Sequence, residues 1–338
     1  MADYDITDPG DSTTVDGVIF EDAANVGSGT GNYDTFLALN DNDGTIAGFN
    51  SDDSGSIDPS NSNMDASKSE AILLGSLTTV WIDGVEYYEI RLDLNENNKE
   101  GEAAKSQISM EAFKIYTSTD GTIEDLATLE TQNLIYDLDG TEDNTLFLSE
   151  ESTGSGTDDY AIYIPVSQFE GLDPATTYFY LYTEMGREEP WEENAGFEEF
   201  NQQEAGLIAG TKFEDENSNG IQDAGEEGLE GIVIYHDADN DGQLDTWDTN
   251  LNGIVDEGEV FDEFSNEQFD VTDENGYYTL TGIVTSSEPI IIREELTGEN
   301  ADYIATNYDG VDEFGPYWEA SITDGGQLVT KDIGNFIP

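Results

Sequence analysis

Three acidic stretches, each with a central glycine, lie close together in the second half of the sequence. They read DENSNGIQDAGE (215–226, loop A), DADNDGQLDTWD (237–248, loop B) and DTNLNGIVDEGE (248–259, loop C). Loops A and C have Asp or Asn at positions one, three and five, Gly at six and Glu at twelve, the spacing of a twelve-residue calcium-binding loop. Alternate residues of such a loop turn oxygens inward, the glycine permits the bend and the last Glu adds two oxygens. This spacing predicts cation sites.

The pattern assigns a ligand set to each loop, with a backbone carbonyl at the seventh position and an often water-mediated ligand at the ninth. In loop A the predicted ligands are Asp215, Asn217, Asn219, Ile221 (carbonyl), Asp223 and Glu226. In loop B they are Asp237, Asp239, Asp241, Gln243 (carbonyl), Asp245 and Asp248. In loop C they are Asp248, Asn250, Asn252, Ile254 (carbonyl), Asp256 and Glu259.

Asp248 closes loop B and opens loop C. A shared carboxylate predicts two cations close together whose binding is coupled, and the three loops together predict about three Ca²⁺ sites. The alternative is that these are acidic surface turns, since Asp, Asn and Gly are also ordinary turn residues. That alternative does not explain why a closing Glu recurs twice at the same distance.

Composition restricts the possible partners and cofactors. The chain has 77 Asp and Glu against 9 Lys and Arg, for a formal net charge of -68. Such a surface repels nucleic acid and anionic lipid, so neither is expected as a partner. Compact folding at this charge needs either bound multivalent cations or the high salt of a halophilic source. With no cysteine and one histidine, thiol chemistry and His-rich metal centres are not expected.

Short β-branched and aromatic runs separated by turn residues predict an all-β chain. We expect two β-sandwich domains, a jelly-roll-like one over 21–204 and a second, with the acidic loops, over 205–338. Residues 1–20 are a polar arm or a first strand. The pair Asp83-Gly84 predicts a hairpin turn, and SQISMEAF (106–113) predicts a short helical turn.

Other polar and aromatic residues have two interpretations each. His236 is expected to be a structural residue at a strand end. Two polar groups of the first domain either line further cation sites or, as we favour, belong to solvated loops. One group is Asp93, Asn95 and Asn97, and the other is Asp137, Asp139 and Asp143. Four aromatic residues bind a glycan or, more simply, pack in the core or across strands: Trp81, Tyr87, Tyr88 and Trp191.

The segments GTKFEDENSNGIQDAGEEGLEGIVIYHDADNDG, VTDENGYYTLTGI and DIGNF, within residues 206–338, resemble the calcium-binding B-repeat domains of serine-aspartate-repeat bacterial surface adhesins. That resemblance implies a prealbumin-like or immunoglobulin-like sandwich whose acidic loops bind calcium and become rigid. In the first domain, GSGTGNYDTFLAL, YDLDGTEDNTLFL and GFEEF are more weakly similar to uncharacterised exported bacterial proteins, which implies location and not activity.

We therefore expect a secreted calcium-binding structural protein of a bacterial surface, biofilm matrix or filament. Calcium would rigidify the loops and promote self-association into a homo-oligomer or filament, with strand donation by the N-terminal arm as one route. The alternative is a calcium-dependent adhesin or glycan-binding module with a cell-surface partner. No enzyme is expected, because no nucleophile elbow or metal-bound water site is recognisable. No membrane insertion is expected, because no apolar run approaches a spanning length, and a signal peptide could have been removed before Met1.

Overall fold

The regular secondary structure of the described residues is almost wholly β-strand, as the sequence predicts. The computed structural model describes residues 2–22, 33–40, 44–51, 63–82, 84–96, 106–140, 142–150, 158–188, 191–192, 196–203, 205–246, 267–286, 288–296, 301–323 and 326–337. Two compact units are present, one of residues 1–79 and 86–203 and one of residues 80–85 and 204–338. Within the described ranges, no helix is long and apolar enough to cross a membrane.

Up to residue 203, the described part of the chain contains fifteen strands and one helical turn. The strands are β1 (Ala2–Asp5), β2 (Ser12–Val15), β3 (Val18–Asp22), β4 (Tyr33–Asn40), β5 (Ile46–Phe49), β6 (Asn63–Met64), β7 (Ile72–Leu73), β8 (Thr79–Ile82), β9 (Val85–Asp93), β10 (Gln107–Ser118), β11 (Asn133–Asp137), β12 (Asn144–Ser149), β13 (Tyr160–Pro165), β14 (Tyr178–Met185) and β15 (Glu198–Gln203). Helix α1 is the single turn Leu126–Leu129, and short 3₁₀ turns cover Leu74–Ser76 and Val166–Phe169.

These strands form two sheets around one hydrophobic core. The first has the order β1-β12-β10-β14-β5 with β11 and β7 attached, and the second has β2-β3-β13-β9-β15-β4-β6 with β8 attached. Phe113 of the first sheet meets Phe20 of the second edge to face, with ring centroids 5.3 Å apart. Alternate residues of each strand therefore face a shared interior, which is the arrangement of a sandwich.

The predicted helical turn at SQISMEAF is wrong, because residues 107–118 form the central strand β10. Ile108 is opposite Leu148 on one neighbouring strand, and Lys114 is opposite Tyr182 on the other. Neighbours on both sides satisfy the backbone of β10 along its length. Tertiary pairing thus overrides the weak local preference of Met110 and Glu111 for helix.

Residues 1–20 pair within their own unit. Strand β1 lies parallel to β12, with Ala2 opposite Asn144, and β2 pairs with β3 across a turn at Asp16 and Gly17 whose φ values are 47° and 93°. Positive φ at both central residues matches the right-handed twist of a hairpin. At the second expected hairpin, β8 pairs with β9 and Gly84 has a φ of 79°, as predicted, while Asp83 lies outside the described residues.

The second unit contains ten described strands in two sheets. They are β16 (Ala205–Glu214), β17 (Val233–His236), β18 (Phe269–Val271), β19 (Tyr277–Val284), β20 (Ile290–Glu295), β21 (Ile304–Ala305), β22 (Gly310–Asp312), β23 (Gly315–Ala320), β24 (Leu328–Thr330) and β25 (Ile333–Phe336). One sheet has the order β19-β16-β25-β21 with β24 attached, and the other β18-β17-β20-β23-β22. Ile208, Ile234, Tyr278, Ile292 and Trp318 of both sheets share one buried core. Loop A follows β16 directly and loop B follows β17.

Candidate metal centre

Loop A is folded around its first residue. Asp215 is fully buried, and its two carboxylate oxygens accept hydrogen bonds from the backbone N–H of Asn219 (3.0 Å) and of Gly220 (2.7 Å). Burial opposes ionisation of Asp215, but hydrogen bonds from Thr306 and from the loop backbone outweigh it and lower the pKa of this carboxyl. Gly220 has a φ of 77°, the conformation that the predicted sharp bend requires.

Four of the other predicted side chains of loop A are linked by hydrogen bonds. The amide nitrogens of Asn217 and Asn219 each lie 2.8 Å from Oδ2 of Asp223, and Glu226 Oε2 accepts from the Asp223 N–H at 2.8 Å. Turning the two amides over would place their oxygens where the nitrogens now lie. Among the described residues the carboxylates of loop A do not converge within 4.8 Å as a group of three. Ile221 is 65% exposed, and a role for its carbonyl stays a prediction.

Loop B repeats the backbone geometry of loop A. Asp237, 2% exposed, accepts hydrogen bonds from the N–H groups of Asp241 (3.0 Å) and Gly242 (3.1 Å), the same fifth and sixth positions as in loop A. Gly242 has a φ of 75°, and a Cβ added there would lie 2.3 Å from the Phe314 side chain. Glycine is therefore required at this bend both by conformation and by space.

The carboxylates of loop B converge, unlike those of loop A. Oxygens of Asp237, Asp239 and Glu267 lie within 4.8 Å of one another, and so do those of Asp239, Asp241 and Asp245. Asp239 belongs to both groups and joins them into one cluster. Since Ca²⁺ takes roughly six to eight oxygens, including water, these clustered carboxylates have the donor chemistry that a hard divalent cation requires.

Glu267 lies outside all three predicted loops. Its backbone N–H donates to the Asp245 carbonyl at 2.8 Å, and its carboxylate accepts from the N–H groups of Ala238 (2.6 Å) and Asp245 (3.2 Å). Burial, together with the charges of Asp237 and Asp245, raises the pKa of Glu267 to about 7. Sequence spacing could not reveal this residue, because it precedes β18 and reaches loop B only through the pairing of β17 with β18.

Arg293 supplies positive charge at the base of loop B. This β20 side chain is 3% exposed and donates to Asp237, to Asn240 at 3.1 Å and to Asp312 at 2.5 and 3.2 Å. Its guanidinium lies 5.7 Å from the Phe314 ring centroid and 5.6 Å from that of Tyr317. Within the described part of the chain, one guanidinium thus faces a cluster of five carboxylates. Arg293 therefore offsets only a small part of the negative charge of loop B.

Other predicted ligands are not brought into this cluster. Gln243 is exposed, and both its N–H and its side-chain amide donate to Asp241, at 2.9 and 3.0 Å, so its carbonyl role stays a prediction. The remainder of the set, Asp248, Asn250, Asn252, Ile254, Asp256 and Glu259, lies outside the described residues. The two-cation corner at Asp248 therefore also stays a prediction.

The two acidic groups of the first unit differ from each other. Asp137 pairs with Lys114 at 3.0 Å and accepts from the Asp139 N–H at 3.0 Å, which is an ordinary closed turn. Asp93, by contrast, is only 2% exposed. The next two backbone N–H groups, of residues 94 and 95, donate to carboxylates of residues 159 and 198 at 2.9 and 3.0 Å. The expectation that the loop at Asp93 is solvated is wrong for its described residues, because strand ends enclose it; Asn97 lies outside them.

The aromatic residues considered for glycan binding are used in packing. Tyr88 is 6% exposed and its ring centroid lies 5.3 Å from that of Phe169. Tyr87 packs edge to face on Tyr163 of the neighbouring strand, with centroids 6.5 Å apart. Trp191 stacks at 4.9 Å on Phe147, and the Trp81 side chain lies outside the described part.

His236 lies at the end of β17, where its Nδ1 is 3.3 Å from the Gln268 side-chain oxygen. Burial lowers its pKa. Its position at a strand end, beside one polar neighbour, is that of a structural histidine.

No family model and no curated protein matches this chain. Among solved structures, similarities are found to three pilins. BcpA, the major pilin subunit of Bacillus cereus, has 14% identity over 75% of this chain and 72% of its own, with a TM-score of 0.23. The full-length major pilin SpaD of Corynebacterium diphtheriae has 9% identity over 90% and 65%, with a TM-score of 0.24. A single-site mutant of the shaft pilin SpaA of Lactobacillus rhamnosus GG has 11% identity over 75% and 99%, with a TM-score of 0.25. Similarities this low decide neither the fold nor the function of this chain.

Proposed function

We propose that this chain is a secreted calcium-binding structural protein of a bacterial surface, biofilm matrix or filament. The observation that carries the proposal is the convergence of five carboxylates at loop B, from Asp237, Asp239, Asp241, Asp245 and Glu267. Calcium fixes this loop, loop A and the predicted loop C. Fixing the loops and offsetting their charge then favours association between copies of the chain.

The donor set favours calcium over softer metals. It consists of carboxylate oxygens, and the sequence contains no cysteine, whereas zinc and copper sites draw on sulfur and imidazole. Loops built of turn residues suit the weak affinities of extracellular modules, with Kd values of roughly 0.1 to 1 mM. Free calcium reaches that concentration outside cells, which supports a secreted location.

Charge links cation binding to association. At a formal net charge of -68, copies of the chain repel one another at low ionic strength. A cation bound in loop B removes two charges from the place where they are densest, and mass action stabilises the folded form that binds it. Calcium is therefore proposed to promote assembly as well as local rigidity.

Calcium titration of the full chain tests the binding step. We expect saturable heat of binding by calorimetry and a rise in melting temperature that a chelator reverses. Asp239→Asn, which removes a carboxylate common to both groups, should weaken binding at loop B roughly tenfold or more. Glu267→Gln should do the same, and Asp302→Asn, a change at an exposed acid of the same unit, should not.

Two results would contradict calcium binding. The first is a melting temperature in ordinary buffer that is the same with calcium and with chelator. The second is stabilisation by sodium or potassium chloride alone, which would indicate a halophilic adaptation instead.

Light scattering at matched ionic strength tests the assembly step. The proposal expects particle size to grow with calcium and not with added sodium chloride. Deleting residues 2–15 distinguishes assembly by strand donation from assembly by other contacts. Strand donation requires β1 to leave its own β12 and to pair with the β12 of another copy. Assembly that survives the deletion excludes donation. A size unaffected by calcium, together with calcium-dependent capture on immobilised glycans, would favour the adhesin alternative.

A further inference from the structure

Three polar side chains meet in the interior of the second unit, next to the start of loop A, where the Asp215 N–H donates to the carbonyl of one of them at 2.7 Å. They are Lys212 on β16, Glu294 on β20 and Asn335 on β25. The side chains of Lys212 and Glu294 are 0% and 3% exposed, and Asn335 is 0% exposed. The surrounding core is apolar and includes Ile333. A buried amine, carboxyl and carboxamide together form a reactive set as well as a polar one.

Strand register brings the three together. Strands β16 and β25 are parallel neighbours, and Glu214 is opposite Asn335. Opposed residues share a face, and Lys212 lies two residues before Glu214, so Lys212 and Asn335 project from the same face of this sheet. Glu294 belongs to the other sheet of the sandwich. The carboxyl group therefore reaches both partners across the core.

The distances place Glu294 between the amine and the amide. Its Oε2 lies 2.8 Å from Lys212 Nζ, and its two oxygens accept from Asn335 Nδ2 at 3.1 and 3.0 Å. Lys212 Nζ is ion-paired with Glu294 but makes no well-angled hydrogen bond within the described residues, and Asn335 Oδ1 has no hydrogen-bond partner there. Burial of a polar atom without a partner is costly.

A purely structural ion pair explains this arrangement poorly. The chain has only nine basic residues, yet it buries one of them completely. An ion pair needs no carboxamide on the same carboxylate, and it leaves Asn335 Oδ1 without a hydrogen-bond partner among the described residues. Burial lowers the pKa of Lys212 to about 8, although the charge of Glu294 opposes that shift. A lysine so placed reaches the neutral, nucleophilic form readily.

We propose that Lys212 and Asn335 are joined by an isopeptide bond, which forms within the folded chain with Glu294 as the proton carrier. Glu294 takes a proton from the Lys212 ammonium, and the free Nζ attacks Cγ of Asn335. The Cγ–Nδ2 bond then breaks. Glu294, already hydrogen-bonded to Nδ2, returns a proton to the departing nitrogen, which leaves as ammonia.

The reaction balances without an oxidant, a metal or an external co-reactant. One C–N bond forms and one breaks. Nζ gives up two protons in all: one passes through Glu294 to the departing nitrogen, and the other, released after the attack, stays on Glu294 or leaves with the ammonia as ammonium. The product replaces a buried charged amine with a neutral amide whose N–H can donate to Glu294. This chemistry is independent of the cation sites and goes beyond the proposed function.

Mass spectrometry of the full chain, purified in chelator, tests the bond. The intact mass should be lower than the sequence mass by one ammonia, once removal of Met1 is allowed for. Digestion with a glutamate-specific protease and trypsin should yield one branched peptide that joins residues 205–214 to residues 332–338. Wild-type protein that gives these two peptides only as separate species at their unmodified masses would overturn the proposal.

Three variants test whether Lys212 and Asn335 are covalently joined or only lie close together. Glu294→Gln retains size but cannot shuttle the proton, and Lys212→Met lacks the amine, so both should show the unmodified mass. Lys331→Met, at a lysine that lies outside the set, should retain the ammonia loss. If Glu294→Gln fails to fold, the wild-type branched peptide still decides. A branched peptide that includes Lys331 in place of Lys212 would contradict the assignment.

Discussion

A carboxyl group buried beside another carboxyl titrates abnormally, and Glu150 of the first unit is the clearest described example. It follows β12 and is 8% exposed. Burial and the nearby charge of Asp93 raise its pKa from 4.5 to about 7. The folded state therefore binds a proton between these two pH values that the unfolded state does not bind.

The stability contributed by that proton is fully present below a pH of about 4.5 and is lost as pH rises through about 7. In chelator, we expect the first unit to lose about 1 to 3 kcal/mol over this window. Glu150→Gln, which keeps a neutral side chain at every pH, should remove most of that loss. Denaturant unfolding followed by circular dichroism at several pH values measures it.

The exposed Glu124→Gln is the matched control and should leave the pH profile unchanged. A profile that is equally steep in Glu150→Gln would show that other carboxyls cause the loss.

Residue spacing predicts much of the candidate site but not all of it. The backbone geometry at Asp215 and Asp237 follows from the pattern, because the central glycine and the first Asp close such a turn locally. Glu267, Arg293 and the Lys212 set do not follow from it. They come together through strand pairing and packing across the sandwich, and these contacts leave no fixed spacing in the sequence.

At the level of elements, the first unit depends most on β10, the strand whose first half the sequence alone misassigns. Phe113 is fully buried at its centre. Its ring lies 5.3 Å from that of Phe20, 6.1 Å from Tyr136 and 6.3 Å from Phe200, measured between centroids. Phe113→Ala should therefore lower the free energy of unfolding of this unit by about 3 to 5 kcal/mol.

The measurement is denaturant unfolding with calcium held constant. Leu134→Ala provides the comparison, because Leu134 lies on the adjacent strand β11 and is 48% exposed. It should change the free energy by less than about 1 kcal/mol. Equal losses in the two variants would mean that β10 is not central to the core.

Element type is easier to predict here than element position. Alternating β-branched and aromatic runs indicate strands throughout, and the Asp83-Gly84 pair correctly indicates a hairpin. The parallel pairing of β1 with β12 and of β16 with β25 is different. It joins segments far apart in the chain, and no local turn chemistry specifies it.

On the scale of the whole molecule, an isopeptide bond between Lys212 and Asn335 would close a loop that includes nearly all of the second unit. Restricting the unfolded chain over a loop of this length is worth on the order of 4 to 5 kcal/mol in the chain-entropy model. Lys212→Met should therefore unfold at distinctly lower denaturant concentration than wild type. The exposed Lys68→Met in the first unit should leave the second unit unchanged.

The outcome is measured on the second unit by hydrogen exchange in denaturant. If wild type and Lys212→Met unfold together, the bond is absent or contributes nothing to stability. Chelator should lower the denaturant concentration at which the second unit unfolds by a similar amount in wild type and in Lys212→Met. The reason is that loop B shares no residue with the group formed by Lys212, Glu294 and Asn335.

The parallel adjacency of β16 and β25 also determines how the second unit would carry mechanical load. These are the first and last described strands after residue 204, so a pull between the two ends of this stretch acts on them in opposite directions along one shared ladder. The hydrogen bonds between β16 and β25 are then loaded in shear and must break at the same time. With Lys212 tied to Asn335, tension would enter along β16, cross one amide and leave along β25. The intervening strands and acidic loops would then bear almost no force, so the unit would stay folded under tension.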